Sequence, residues 1–214
     1  MWKWIGKIAS LEATKIVWPE EEFNDPNSQK FIITIDGIDC NIQEKNTDIR
    51  FNVDKKMCSH KHTSAGIKYE IAMSVFDSKC VWVNGPFRGG KHDLKIYEGT
   101  EDEHDERIRK KAGLPPPKIP LRDMIPEGKL GIADRGYRGA GEKVATPESE
   151  HSQVLAKFMS RARCRHETFN GRLKFYKILE GRFRHTIAQH CLVFLAICTT
   201  VQYQMDHGAE LFVV

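Results

Sequence analysis

Two apolar segments of the chain predict buried β-strands that end in an acid. The segment at 31–35 is mainly apolar and is followed by Asp36-Gly37. A shorter segment at 129–133 is followed by Asp134, and a basic, glycine-flanked turn comes next. Each of these strands is therefore predicted to present one carboxylate where it ends.

A third apolar segment alternates with polar residues, which is typical of a strand with one face toward a core. At 67–76 the residues on the apolar face are Ile67, Tyr69, Ile71, Met73 and Val75. A turn follows, and a further strand is predicted at 81–83. The segment at 84–90 is predicted to be a loop.

Helical signals lie mainly in the last third of the chain. Thr146-Pro147-Glu148 is typical of a helix start, and apolar spacing predicts one long helix, or two in succession, to about residue 179. A shorter helix is predicted to begin at His92-Asp93. The apolar segment at 187–201 predicts a buried C-terminal helix, because it is polar in places and too short to cross a bilayer.

The charges are distributed unevenly. The net charge of the 214 residues is only +4, but residues 157–184 hold nine lysines and arginines against two acids. Such a basic segment favours a polyanionic partner, although a solvated helix face would give the same pattern. The six cysteines form no C-x-x-C pair, which predicts reduced thiols in an intracellular protein. Zinc binding through Cys58, His60 and His62 is not favoured, since no second pair of ligands has suitable spacing.

Three acids on three predicted elements are candidates for one metal site. Asp36 and Asp134 follow strands, and Glu167 lies on a basic helix stripe. If the two strands are parallel neighbours, their carboxyl ends open into one crevice. Carboxylates at such a point favour Mg²⁺, and paired ions can act on a phosphodiester. Ordinary roles stay open: a turn for Asp36, a pair with Arg135 or Arg138 or backbone N–H bonds in the turn for Asp134, and a pair with Arg163 for Glu167.

Five motifs occur in order along residues 31–180, and together they resemble a known family. They are "TIDGIDCNIQE", "CSHKHTSAGIKYEIAMSVF", "VNGPFRGGKHDLKIYEG", "GIADRGYRG" and "RCRHETFNGRLKFYKIL". Each is weak by itself, but the ordered set is similar to the DDE nuclease domain of Harbinger-type transposases. The resemblance implies an α/β, ribonuclease H-like fold, with a mixed sheet and helices on both faces.

The resemblance also implies a site and an activity. Asp36, Asp134 and Glu167 match the catalytic and metal-binding acids, which would hold two Mg²⁺ or Mn²⁺ ions. Asp36 is preferred to Asp39 because glycine follows it directly, and Asp93 of the "HD" pair is an additional candidate. The activity implied is cutting of DNA and joining of transposon ends to target DNA. The residues expected to contact DNA phosphates are Arg135, Arg138, Arg163, Arg165, Lys174 and Lys177.

The predicted organisation is a lead-in at 1–30, a nuclease domain at 31–205 and a tail at 206–214. Only some 30 residues precede the domain, whereas such transposases carry a DNA-binding region there. We therefore expect that the chain is a truncated copy or that it acts with a separate DNA-binding protein. Assembly into a homo-oligomer is also left open. The alternatives are a domesticated, catalytically inactive DNA-binding module and a hydrolase of small phosphate esters. A DNA substrate predicts the nucleus if the source is eukaryotic, and otherwise the cytoplasm.

Overall fold

The structure is a computed structural model that describes residues 1–43, 57–59, 64–146 and 152–214. Within these ranges the strands form one sheet in the order β3-β2-β1-β4-β5. Their bounds are β1 Phe31–Asn41, β2 Gly66–Ser74, β3 Cys80–Arg88, β4 Leu130–Ile132 and β5 Val144–Ala145.

The sheet is mixed, as predicted. β1 pairs antiparallel with β2, and β2 pairs antiparallel with β3. β1 also pairs parallel with β4, and β4 pairs parallel with β5. The two strands that carry the candidate acids are thus parallel neighbours at the centre of the sheet.

Helices cover both faces of the sheet. Their bounds are α1 Trp2–Ser10, α2 Glu12–Lys15, α3 Glu20–Asn24, α4 Asp93–Tyr97, α5 Glu103–Ala112, α6 Leu121–Met124, α7 Gln153–Phe175, α8 Lys177–Glu180 and α9 Ile187–Asp206. On one face, Phe169 of α7 and Phe194 of α9 pack with Tyr69 of β2 in the larger core cluster. On the other, Tyr97 of α4 and Leu121 of α6 lie in a second cluster. This arrangement confirms the predicted α/β fold and is consistent with the ribonuclease H-like nuclease architecture.

Two strands are longer than the sequence predicted. β1 does not end at Asp36 but continues to Asn41, because its pairing with β2 extends that far. Its parallel pairing with β4 stops at Thr34, so Asp36 still lies just beyond the last residue of β1 that pairs with β4. β3 continues through the segment at 84–88, where a loop was predicted, since Asn84, Phe87 and Arg88 pair with β2.

The helix predictions mostly agree with the structure. α7 and α8 follow one another, and α9 covers the apolar C-terminal segment. Ser152 caps α7, while Pro147 and Glu148 of the predicted start lie outside the described residues, as do His60 and His62. None of the described helices is both long and apolar enough to cross a membrane.

Both predicted end segments pack on the main core. Ile16 of the lead-in is buried in the larger cluster, and α1 packs along α9. Leu211 of the tail is buried in the same cluster, and its backbone N–H donates to the Ser78 hydroxyl at 2.8 Å. Residues on either side of the predicted nuclease domain therefore contribute to its core.

Candidate active site

Asp36 is held by its own strand and by a helix. Side chains alternate along β1, so Thr34 and Asp36 face α7 together. The Gly37 backbone N–H donates to Asp36 Oδ1 at 2.8 Å, and Asn170 Nδ2 of α7 donates to Asp36 Oδ2 at 2.9 Å. The carboxylate is half-buried. These contacts involve both carboxylate oxygens of Asp36.

Asp134 is fixed by the turn that follows β4. Its Oδ1 accepts the Gly136 backbone N–H at 2.8 Å, which closes a short 3₁₀ turn at Arg135–Tyr137. Gly136 leaves room for the carboxylate, because a Cβ there would lie only 2.9 Å from Asp134 Oδ1. The glycine-rich turn noted in the sequence thus lets an acid fold back over its own backbone.

The structure brings all three predicted acids to one pocket. Its lining residues are Thr34, Ile35, Asp36, Asp134, Arg163, His166 and Glu167. Asp36 lies on β1, Asp134 follows β4, and Glu167 lies on α7. Asp39 lies on the opposite side of β1 from Asp36 and accepts a hydrogen bond from Ser59 Oγ at 3.1 Å. Of these two aspartates, Asp36 is therefore the site candidate.

The acids do not form a closed metal centre. Among the described residues, no three histidine, cysteine or acidic side chains come together as a ready ligand set. The Glu167 side chain is 64% exposed and lies 3.9 Å from Arg163 Nη2, a weak exposed pair. The carboxylate oxygens of the three acids are the donor type that a hard divalent cation prefers.

Asp93 lies between the segments that carry the two aspartates. A Cβ at Gly37 would lie 2.6 Å from Asp93 Oδ1, and a Cβ at Gly136 would lie 3.5 Å from Asp93 Oδ2. Lys68 Nζ donates to Asp93 Oδ1 at 2.9 Å. Only glycine at residue 37 permits this close approach. Asp93 is thus packed against the site from the side of the sheet opposite α7.

Three further residues, Thr34, His166 and Asn170, shape the pocket. They were not identified as site residues from the sequence. His166 is buried, and its Nδ1 shares a hydrogen bond with Thr34 Oγ1 at 2.9 Å. Burial lowers the pKa of His166 to about 3, so the imidazole is neutral at ordinary pH. Asn170 holds Asp36, as described above. Spacing could have identified two of them: Asn170 lies one turn beyond Glu167, and Thr34 lies two residues before Asp36.

The residues predicted to contact DNA differ in accessibility. Arg135 and Arg138 are exposed, Arg163 and Lys174 are half-buried, and Lys177 is exposed and pairs with Glu180. Arg165 is only 2% exposed, and its guanidinium donates to the Ser74 carbonyl. The structure does not support the prediction for Arg165, because this side of α7 faces the sheet. Sequence charge alone could not distinguish it from its exposed neighbours.

The fold and the pocket together define an α/β protein with a carboxylate site where two parallel strands of a mixed sheet stop pairing. A family model described as DDE superfamily endonuclease matches residues 35–202, most of the chain. The chain belongs to this family. No significant match was found among curated proteins or among solved structures.

Proposed function

We infer that the chain is a divalent-metal-dependent DNA nuclease of the Harbinger type, which cuts phosphodiester bonds and joins transposon ends to target DNA. One observation carries this proposal: Asp36, Asp134 and Glu167 line a single pocket. Family membership supports endonuclease activity of this class. A DNA substrate would place the protein in the nucleus of a eukaryotic cell, and otherwise in the cytoplasm.

Asp36, Asp134 and Glu167 would hold two Mg²⁺ or Mn²⁺ ions. Such ions supply an activated water and stabilise charge that develops on the phosphate. Arg163 lines the pocket beside Glu167 and would hold a phosphate oxygen when Glu167 turns away. Arg135, Arg138, Lys174 and Lys177 would hold neighbouring phosphates. Asp93 would position the aspartates, because one of its oxygens is already paired with Lys68.

The test is cleavage of a labelled duplex under controlled metal conditions. We expect cleavage with Mn²⁺ or Mg²⁺, and only background after removal of metal by EDTA and dialysis, because the bound ions would supply the activated water and the charge stabilisation. Adding Mn²⁺ back should restore the rate. Cleavage that persists in EDTA would contradict the proposal. DNA binding without cleavage in any metal would favour the inactive binding module instead.

Asn170→Ala should reduce cleavage by about 10- to 100-fold, the usual cost of losing a partner that orients a metal ligand. The variant removes the Asn170 amide that donates to Asp36 Oδ2. The Mn²⁺ concentration for half-maximal rate should rise. A purely structural loss would instead lower the melting temperature and leave this Mn²⁺ concentration unchanged. Exposed Thr168→Ala on the same helix is the control, since its hydroxyl donates only to the Cys164 carbonyl.

A further inference from the structure

The carboxyl end of α7 exposes a large aromatic side chain beside cations. Phe175, the last residue of α7, is 82% exposed, and Ile178 is 44% exposed. Lys174 precedes Phe175, and Lys177 precedes Ile178. We call these four residues the helix-end patch. Leu173, by contrast, is fully buried, so the patch is separate from the core side of the helix.

The chain segment that carries the patch is rich in positive charge. Between residues 168 and 205 the only acid is Glu180, and it pairs with Lys177 at 2.5 Å. Arg182 and Arg184 follow and are both exposed. Exposed ion pairs contribute little and exchange readily with other anions. The charge of this surface therefore fits a polyanion, and an acidic partner is favoured over an apolar one.

Lys174 and Phe175 of the patch lie on the helix that carries Glu167, and Lys177 and Ile178 lie on α8 directly after it. Phe175 is eight residues beyond Glu167 in continuous α-helix, an axial distance of about 12 Å. Lys174 is seven residues beyond Glu167, nearly two full turns, so both lie on the same face. Phosphates of one DNA strand are about 3.4 Å apart along the duplex axis. A strand that follows α7 from the pocket would thus reach Phe175 within about four nucleotides.

We propose that Phe175 stacks on an unpaired base of the bound DNA, within about four nucleotides of the cleaved bond. Lys174 and Lys177 hold the phosphates on either side, and Ile178 extends the apolar contact. An exposed aromatic ring among cations is the usual platform for single-stranded nucleic acid, because each unpaired base offers a stacking face. Paired bases in duplex DNA are already stacked and cannot use the ring in this way. The location relative to the cleaved bond rests on the proposed function, whereas the stacking itself does not.

The test uses 2-aminopurine, scanned through the unpaired strand of a duplex with a single-stranded overhang, with the full chain in EDTA. Wild type should quench the fluorescence at one or two adjacent positions. Phe175→Ala should abolish this quenching and weaken overhang binding about 10-fold, the loss expected for one stacked base. Phe175→Trp should retain both. Val154→Ala, a similarly exposed apolar side chain on the first turn of α7, is the matched control and should change neither.

The outcomes separate this inference from the proposed function. Blunt duplex should bind equally well to wild type and Phe175→Ala, and an equal loss on both DNAs would overturn the inference. Unchanged quenching in Phe175→Ala would also overturn it. A change of oligomeric state in that variant, with no change in DNA binding or quenching, would do the same. Mapping the cut in Mn²⁺ then places the quenched base relative to the cleaved bond. Localised quenching without cleavage in any metal would contradict the proposed nuclease but support the stacking.

Discussion

Asp36→Asn is expected to lower Mn²⁺-dependent cleavage by about 100-fold or more, the scale of loss when a group acting directly on the reaction is removed. The change keeps the size of the side chain and an oxygen that can accept the Gly37 backbone N–H. It removes the negative charge that a divalent ion needs from a shared ligand. Initial rates on a labelled duplex at saturating Mn²⁺ measure the effect.

The matched control lies three residues further along the same strand. Asp39 is on the other side of β1 and accepts a hydrogen bond from Ser59, so Asp39→Asn should leave the rate within about two-fold. Both variants remove one negative charge from β1, which excludes a general electrostatic effect on DNA binding. Similar rates for Asp36→Asn and wild type would refute the proposed site. A large loss in Asp39→Asn would mean that the wrong aspartate has been assigned.

The sequence predicted the positions of the two aspartates because their strands have local signals. A short apolar segment that ends at an acid can be recognised without tertiary information, and parallel neighbours present their ends together. The length of β1 could not be found in this way. β1 continues past Asp36 because β2 pairs with it as far as Asn41, and β4 is too short to follow. Asp36 therefore faces the pocket from within a strand.

Tertiary contacts account for what the sequence did not predict. Arg165 and Arg163 are two residues apart in a basic helix, yet Arg165 faces the sheet and Arg163 lines the pocket. The rotation of α7 relative to the sheet decides which arginine is accessible. The pattern of charges in the sequence does not determine this rotation. Asp93 likewise reaches the site only because Gly37 leaves space for its carboxylate.

Glu70→Gln is expected to stabilise the fold near pH 7.5 by on the order of 2–4 kcal/mol, and to have little effect near pH 5. Glu70 is 1% exposed, and one of its oxygens accepts the Trp82 indole N–H at 3.2 Å. Burial raises the pKa of Glu70 to about 8, and the charge of Asp93 adds to this, while the Trp82 hydrogen bond and Lys91 oppose it. Glutamine retains an oxygen for Trp82 but has no proton to lose.

The sign follows from proton binding in the two states. Between pH 4.5 and about 8 the folded protein keeps the Glu70 proton, whereas the unfolded chain has released it. The unfolded state therefore binds fewer protons, and wild-type stability falls as the pH rises through this window. Buried His166 and His190, with pKa values lowered to about 3 and about 4, act in the opposite sense below pH 6.5, where the unfolded chain takes up protons.

Denaturant unfolding of wild type and Glu70→Gln at several pH values isolates the Glu70 contribution. The two free energies of unfolding should converge near pH 5 and diverge steadily toward pH 8. Exposed Glu142→Gln is the control and should follow wild type throughout. A constant difference between Glu70→Gln and wild type would mean that packing or hydrogen bonding, not the buried proton, dominates at residue 70. A variant that is destabilised at pH 7.5 but not at pH 5 would show that the carboxylate is ionised in the fold and that its charge is stabilised there.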